Sequence, residues 1–261
     1  MLHMPLESII KATGTMTVGR TASWAGCASP SLFGSGQRLL LPRGCAGCDE
    51  PDAVLCMRCR NAFLDSQRRA LPQSSMRFGY ACGRYDGVVR QAILRWKDHG
   101  DEECTALFAL LLEHLAACIG LLQAWTACGI LIVPVPSSAR SIRQRGRWHM
   151  LGLAKKLVAL LRRRGMDASV APVLYMERRA HKAVQSLDPS ERAERARDAL
   201  RCRDVGTRRG AYDIRRRRVV VLDDIVTTGS TMRRCVHLLR ARGFTVLTSL
   251  ALAYTSRQSV R

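Results

Sequence analysis

Residues 219–231, VVVLDDIVTTGST, bring together the groups that a sugar phosphate needs. Asp223 and Asp224 are adjacent carboxylates, which accept hydrogen bonds from hydroxyls and coordinate Mg²⁺. Thr227, Thr228, Gly229, Ser230 and Thr231 offer hydroxyl and backbone N–H donors to phosphate oxygens. With the carboxylates on sugar hydroxyls and the loop wrapped around a monophosphate, the spacing suits a ribose 5-phosphate better than a triphosphate. No Walker A sequence occurs, so no loop lysine reaches terminal phosphates. The plainer alternative is an ordinary strand-to-helix turn with two capping aspartates.

A second constellation lies near the N-terminus. CAGC (45–48) and CMRC (56–59) are two CxxC pairs separated by seven residues. Each pair turns in a tight knuckle, so Cys45, Cys48, Cys56 and Cys59 together make a four-thiolate tetrahedral site for a structural Zn²⁺. A redox dithiol needs only one such pair. So small a module builds no sufficient apolar core of its own, and zinc binding on the order of 10 kcal/mol would hold it folded. Such a ribbon serves as a structural element or as a contact for protein or nucleic acid.

The elements that must position these residues follow from hydrophobic period. Val219 to Leu222 lack polar alternation, as expected of a central parallel strand covered on both faces, and the strand is predicted to stop at Asp223. Met232, Cys235, Val236 and Leu239 make one helical stripe, Gly243 stops that helix, and FTVLTSLALAY is a further strand. Upstream, Val89, Ala92, Ile93 and Trp96 mark a helix closed by Asp98, His99 and Gly100. DEE (101–103) is predicted in the first turn of the next helix, which runs to about Leu122. Glu113, His114 and Gly120 argue against reading that segment as a membrane span. His114 is expected as a satisfied core or boundary histidine.

GILIVPVPSS (129–138) reads as a buried strand ended by prolines, its loop facing the same crevice as 223–231. Arg140, Arg143, Arg145 and Arg147 follow, either for a pyrophosphate or as a basic solvated lead into a helix. That helix is predicted to bury Met150, Leu151, Ala154, Leu157, Val158 and Leu161 and to end at Gly165, with SVAPVLY a strand beyond it. The loop with Arg178, Arg179, His181, Lys182 and Gln185 is a cationic flap or a mobile surface loop, followed by a helix capped by Asp188, Pro189 and Glu191.

The chain of 261 residues has room for one ordinary domain and a small module. Residues 1–40 lack period and read as a disordered tail without a signal peptide, and Met16 leaves room for a later translation start. A cysteine module is expected over 41–71, a Pro/Gln/Ser linker near 72–75 and an α/β domain over 76–261. Lys and Arg total 42 against 21 acidic residues, a net charge of +21, and lysine occurs only at 11, 97, 155, 156 and 182. The arginine excess allows phosphate-rich partners such as single-stranded DNA, or reflects a compositional preference on solvated helices. Seven cysteines outside the cluster show no framework spacing, which points to a reducing, cytoplasmic setting.

The 219–231 stretch resembles the phosphoribosyl pyrophosphate (PRPP) binding motif of type I phosphoribosyltransferases: apolar residues, an acidic pair, then T-T-G-x-T. Together with the two CxxC pairs, GVVRQAILRWKDHGD, IVPVP, the Arg145-Gly146 pair and the segment Gln185 to Leu200, residues 45–254 resemble the ComF family, phosphoribosyltransferase-like proteins linked to DNA uptake in competent bacteria. The family usually reads Arg-Gly-Phe-Asn where this chain has Arg147 and Trp148 after Arg145-Gly146, and Arg-x-x-Asn where it has Arg192 and Arg195. The resemblance implies an α/β fold, a type I phosphoribosyltransferase-like parallel sheet flanked by helices with a small N-terminal zinc ribbon. It implies PRPP or a related ribose phosphate as ligand, with Mg²⁺, and competence proteins or DNA as partners. As an enzyme, the chain would use Asp223 and Asp224 to hold the ribose as positive charge grows at C1. The alternatives are a non-catalytic nucleic-acid-binding accessory factor and, more remotely, a regulator whose partner docks on the ribbon.

Overall fold

The computed structural model describes residues 44–122, 129–177, 199–204 and 218–255. In chain order the elements are α1 (Met57–Ala62), β1 (Gln67–Ala70), β2 (Phe78–Arg84), α2 (Gly87–Asp98), α3 (Cys104–Cys118) and β3 (Ile130–Pro134). Then come α4 (Ala139–Arg145), α5 (His149–Arg163), β4 (Ala168–Val170), β5 (Leu174–Met176), β6 (Leu200–Cys202), β7 (Arg218–Val226), α6 (Ser230–Ala241) and β8 (Thr245–Tyr254). Strands β1-β2-β8-β7-β3-β4 form one sheet in that order, all parallel except the edge strand β1, which pairs antiparallel with β2. This is the expected α/β architecture, a parallel sheet flanked by helices.

The central strand explains the layering. Val219, Val220, Val221 and Leu222 are fully buried, and β3 and β8 pair on either side. Val220 and Leu222 pack with α2, α3 and α5, while Val219 and Val221 pack with Met232, Cys235, Val236 and Leu239 of α6. Two apolar layers therefore sandwich the sheet, as alternation of side chains along a doubly covered strand requires.

Most of the predicted stripes are the buried ones. α2 buries Val89, Ala92, Ile93 and Trp96 and α6 buries its predicted four, with Gly100 and Gly243 at the ends. In α5 the buried set is Met150, Leu153, Ala154, Leu157, Val158 and Leu161; Leu153 takes the place expected for Leu151, which is half-buried. DEE does not form the first turn of α3. Asp101 to Glu103 lie in the turn before it, because the helix begins only at Cys104.

SVAPVLY is not one strand. Pro172 has no N–H for a ladder, and the segment divides there into β4, which stays in the main sheet, and β5, which leaves it to pair antiparallel with β6. Beyond β5, the Glu177 N–H donates to the Ala199 carbonyl at 2.8 Å, so the residues flanking the predicted flap and the predicted helix after it meet at this ribbon. The flap itself, Asp188, Glu191, Arg192, Arg195 and the tail over 1–40 lie outside the described residues. No helix among the described residues is long and apolar enough to cross a membrane.

Candidate phosphoribosyl site and cysteine cluster

The cysteine cluster is built almost wholly from its own loop. The four Sγ atoms of Cys45, Cys48, Cys56 and Cys59 lie within 4.8 Å of one another, and Cys48 and Cys56 are 3.6 Å apart. Tetrahedral thiolates about 2.3 Å from Zn²⁺ would stand about 3.8 Å from each other, so the donor set fits that ion. The N–H groups of Gly47 and Cys56 donate to the Cys45 sulfur at 3.4 and 3.2 Å. Gly47 is required by space: a Cβ there would meet the Cys59 sulfur at 2.7 Å. A hydrogen bond from Arg58, then the Glu50 backbone, lowers the Cys48 thiol to about 6, while burial and the neighbouring thiols push Cys59 well up.

The loop is not insulated from the domain. Leu55, Cys59 and Phe63 belong to the apolar layer that contains Trp96 and Phe108, with Phe63 and Phe108 rings 5.4 Å apart. Gln67–Ala70, within the stretch read as part of the module, is the edge strand of the main sheet, and Ser75, at the end of the predicted linker, and Met76, the first residue of the predicted domain, donate to the carbonyls of Val246 and Leu247.

At the carboxyl end of the central sheet, β7 does not stop at Asp223. Pairing with β8 continues through Asp223↔Ala251, Ile225↔Ala253 and Val226↔Tyr254, because backbone pairing does not require apolar side chains. Consecutive strand residues start toward opposite faces. Asp224 enters the layer of α2 and α5, where it is 6% exposed. Its Oδ2 accepts from Lys97 Nζ at 2.5 Å and His149 Nε2 at 2.9 Å, and its Oδ1 accepts the Ile225 N–H at 2.6 Å. The His149 ring in turn stands edge-on to Trp96 at 5.0 Å.

Asp223 is half-buried and accepts the Asp224 N–H at 2.9 Å. The two carboxyls titrate in opposite directions. For Asp223, burial and the adjacent Asp224 charge raise it well above the usual carboxylate range. For Asp224, burial also acts upward, but the hydrogen bond from His149 and the charge of Lys97 outweigh it and hold the carboxyl below its ordinary value.

The loop that follows is open. Thr227, Thr228 and Thr231 are exposed, and Gly229 takes φ +75, a left-handed conformation that lets the chain turn into α6. The Thr228 and Ser230 hydroxyls are 3.0 Å apart, and Arg233 donates to the Thr228 carbonyl at 3.2 Å. From edge strand β1, Arg69 donates to the carbonyls of Thr227 and Thr255 and lies 5.0 Å over the Tyr254 ring. The loop thus presents hydroxyls and the first N–H groups of a twelve-residue helix, donors that suit a phosphate.

The prolyl loop after β3 lies beside this edge, since β3 and β7 are parallel neighbours and the Val135 N–H donates to the Leu222 carbonyl at 2.8 Å. The four arginines beyond it divide. Arg145 pairs with Asp98 at 2.9 Å, and Arg147 pairs with Glu102 at 3.1 Å and donates to the Trp96 carbonyl. Arg140 and Arg143 are exposed. His114 is the boundary histidine expected, half-buried beside Cys118 at 3.4 Å.

Lys97, His149 and Arg69 were not among the residues singled out from sequence. Lys97 stands in the WKDHG run whose family resemblance was already noted, a usable signal. His149 follows the departure at Arg147-Trp148, and Arg69 on a short polar strand carries no signal at all.

Residues 151–260 match the family model described as the phosphoribosyl transferase domain. No curated protein matches the chain. Two crystal structures of a hypoxanthine phosphoribosyltransferase from Staphylococcus aureus align at 15% and 14% identity, each with a TM-score of 0.32. They cover 59% and 60% of this chain, which spans 64% and 69% of theirs. A structure of Leishmania donovani UMP synthase aligns at 15% identity and a TM-score of 0.33, over 76% of this chain and 31% of its own. Likenesses of that size carry nothing about the substrate. The fold is that of a type I phosphoribosyltransferase-like protein, an α/β sheet with a four-cysteine cluster that fits a zinc ribbon.

Proposed function

We propose that this chain binds Mg²⁺-PRPP at the carboxyl edge of its sheet and is a ComF-like phosphoribosyltransferase. The observation that carries the reading is the junction of β7 and α6. A half-buried carboxyl, Asp223, stands next to an open Thr-Thr-Gly-Ser-Thr loop whose donors face outward at a helix N-terminus. In that arrangement the loop from Thr227 to Thr231 holds the 5-phosphate, and the acidic pair governs the ribose, whose C1 gains positive charge as pyrophosphate departs. Asp223 would meet the ribose hydroxyls or the hydrated Mg²⁺ accompanying the pyrophosphate, an ion that would supply charge neutralisation there.

Calorimetric titration of Mg²⁺-PRPP tests this. Wild type is expected to bind, and Asp223→Asn/Asp224→Asn to lose charge-assisted hydrogen bonds of about 1.5–3 kcal/mol each. Equal affinity in the two proteins sinks the ribose assignment. Pyrophosphate release measured against a panel of nucleobases then identifies the acceptor, and release with none of them favours a binding role.

The net charge of +21 supports a second reading, a nucleic-acid-binding accessory factor in DNA uptake that keeps the fold without turnover. Single-stranded DNA affinity measured against salt separates it from the first. Several phosphate contacts predict a log–log slope of about −0.7 per contact, and a slope near zero rejects DNA as a direct partner.

A further inference from the structure

The two aspartates of the acidic pair do not stand in equivalent places. Asp224 is almost entirely enclosed, and three donors already occupy its carboxylate: Lys97 and His149 on one oxygen, the Ile225 N–H on the other. Both side-chain partners come from remote elements, and His149 is itself enclosed. The Lys97 side chain is 22% exposed and that of His149 is 2% exposed. A ribose hydroxyl reaching Asp224 Oδ2 would have to compete with an ammonium ion and a buried imidazole. Asp223 is half-buried, accepts one backbone N–H and makes no ion pair at contact distance among the described residues, the Lys97 charge reaching it only from beyond Asp224. It also leads directly into the phosphate loop.

We infer that Lys97 and His149 are positioning residues that act through Asp224, leaving Asp223 as the one carboxyl of the pair that touches the ribose. The inference rests on the PRPP reading above and assigns the work within that site. Lys97 has a second effect. PRPP is a polyanion, and a buried, uncompensated Asp224 carboxylate beneath it would repel it; the lysine ammonium cancels that charge at contact distance. His149 fixes the carboxylate plane from the other side, its ring held against Trp96.

The experiment is a set of Mg²⁺-PRPP titrations on the full chain, with circular dichroism confirming that each variant is folded. Asp223→Asn is expected to weaken binding at least about tenfold, and by more than Asp224→Asn does. Lys97→Met is expected to weaken it about tenfold because Asp224 loses its ammonium partner, and Lys97→Arg to recover most of that loss. The diagnostic variant is Lys97→Met/Asp224→Asn, where no carboxylate lacking its ammonium partner remains. It is expected to bind more tightly than Lys97→Met alone, a rescue that a purely structural lysine would not give. His149→Gln, which keeps a donor toward Asp224, is expected to bind more tightly than His149→Leu. A wild type that does not bind overturns the PRPP reading and this inference with it. A wild type that binds, with Asp224→Asn as damaging as Asp223→Asn or with the Lys97→Met loss undiminished in the double variant, overturns the inference alone.

Discussion

The cysteine loop and the carboxylate edge are held together in contrasting ways. In the first, all four ligands and the N–H groups that orient them come from one short run of chain, and the domain contributes an apolar surface and the Arg95 side chain. In the second, one strand supplies the carboxyls, while the groups that fix them come from α2, α5 and, for the loop, edge strand β1. A site of the first kind fails when its central ion goes. One of the second kind fails when a distant element shifts, even with every residue of its motif intact.

The largest effect is expected on the cysteine side. Removing the metal with a chelator, or Cys59→Ser, should forfeit most of a binding energy of about 10 kcal/mol. Because Leu55, Cys59 and Phe63 lie in the same apolar layer as Trp96 and Phe108, the loss should spread. A thermal melt with and without chelator reads it, alongside metal content. Unchanged melting with a stoichiometric metal removed would break the comparison, since the loop would then be held by packing alone.

Next comes Asp224→Ala, which leaves Lys97 and His149 facing an empty space. Breaking a buried ion pair by deleting one partner costs about 3–5 kcal/mol, and denaturant unfolding is the direct measurement. Arg69→Met should cost less, about 1–2 kcal/mol for two hydrogen bonds from a charged donor to carbonyls at a partly exposed site. Its sharper signature is local. Amide hydrogen exchange at 227–229 should speed up while α6 stays protected, and uniform protection would mean the loop holds itself.

The smallest effect is one of pH, and it separates the two aspartates. Asp224 has a lowered carboxyl, so it contributes stability above the ordinary value of about 3.9, which is lost as pH falls through its folded value. Asp223 has a raised one, so its ionised form weakens the fold at neutral pH, and the folded state takes up that proton first on acidification. Asp223→Asn should therefore raise the melting temperature at pH 7. The gain should shrink as pH falls through the raised value toward about 3.9. A variant less stable than wild type at pH 7 reverses the sign and with it the account of the pair.

The same contrast explains what was readable in the residues. Cys45, Cys48, Cys56 and Cys59 carry their geometry in their spacing, and the stripes of α2 and α6 carry theirs in a period of 3.6. Thr227 to Thr231 fall where the strand gives way to the helix, a place signalled by the apolar run before them and the helical stripe after them. What a local pattern could not show was where β7 ends, since that is decided by β8 alongside it. Nor could it show that Pro172 divides a strand between two sheets, or that Arg145 and Arg147 are engaged by Asp98 and Glu102. Lys97 and His149 became partners of Asp224 only through the order of the strands and the helices laid across them.

Arg95, Trp96 and Lys97 sit side by side in α2, and each faces about 100° around from the last. Arg95 grips Asp49 through both nitrogens, at 2.6 and 2.8 Å, and the Cys45 carbonyl at 3.1 Å. Trp96 is buried and donates to Thr105 at 2.8 Å, and Lys97 holds Asp224. The angular phase of one helix thus works like the cut of a key, with cysteine loop, core and carboxylate edge as three wards read at a single turn. Single substitutions in Gly87–Asp98 would each disturb one ward. A one-residue insertion or deletion there would misalign all three at once, and chimeras built from related chains would have to be joined outside this helix.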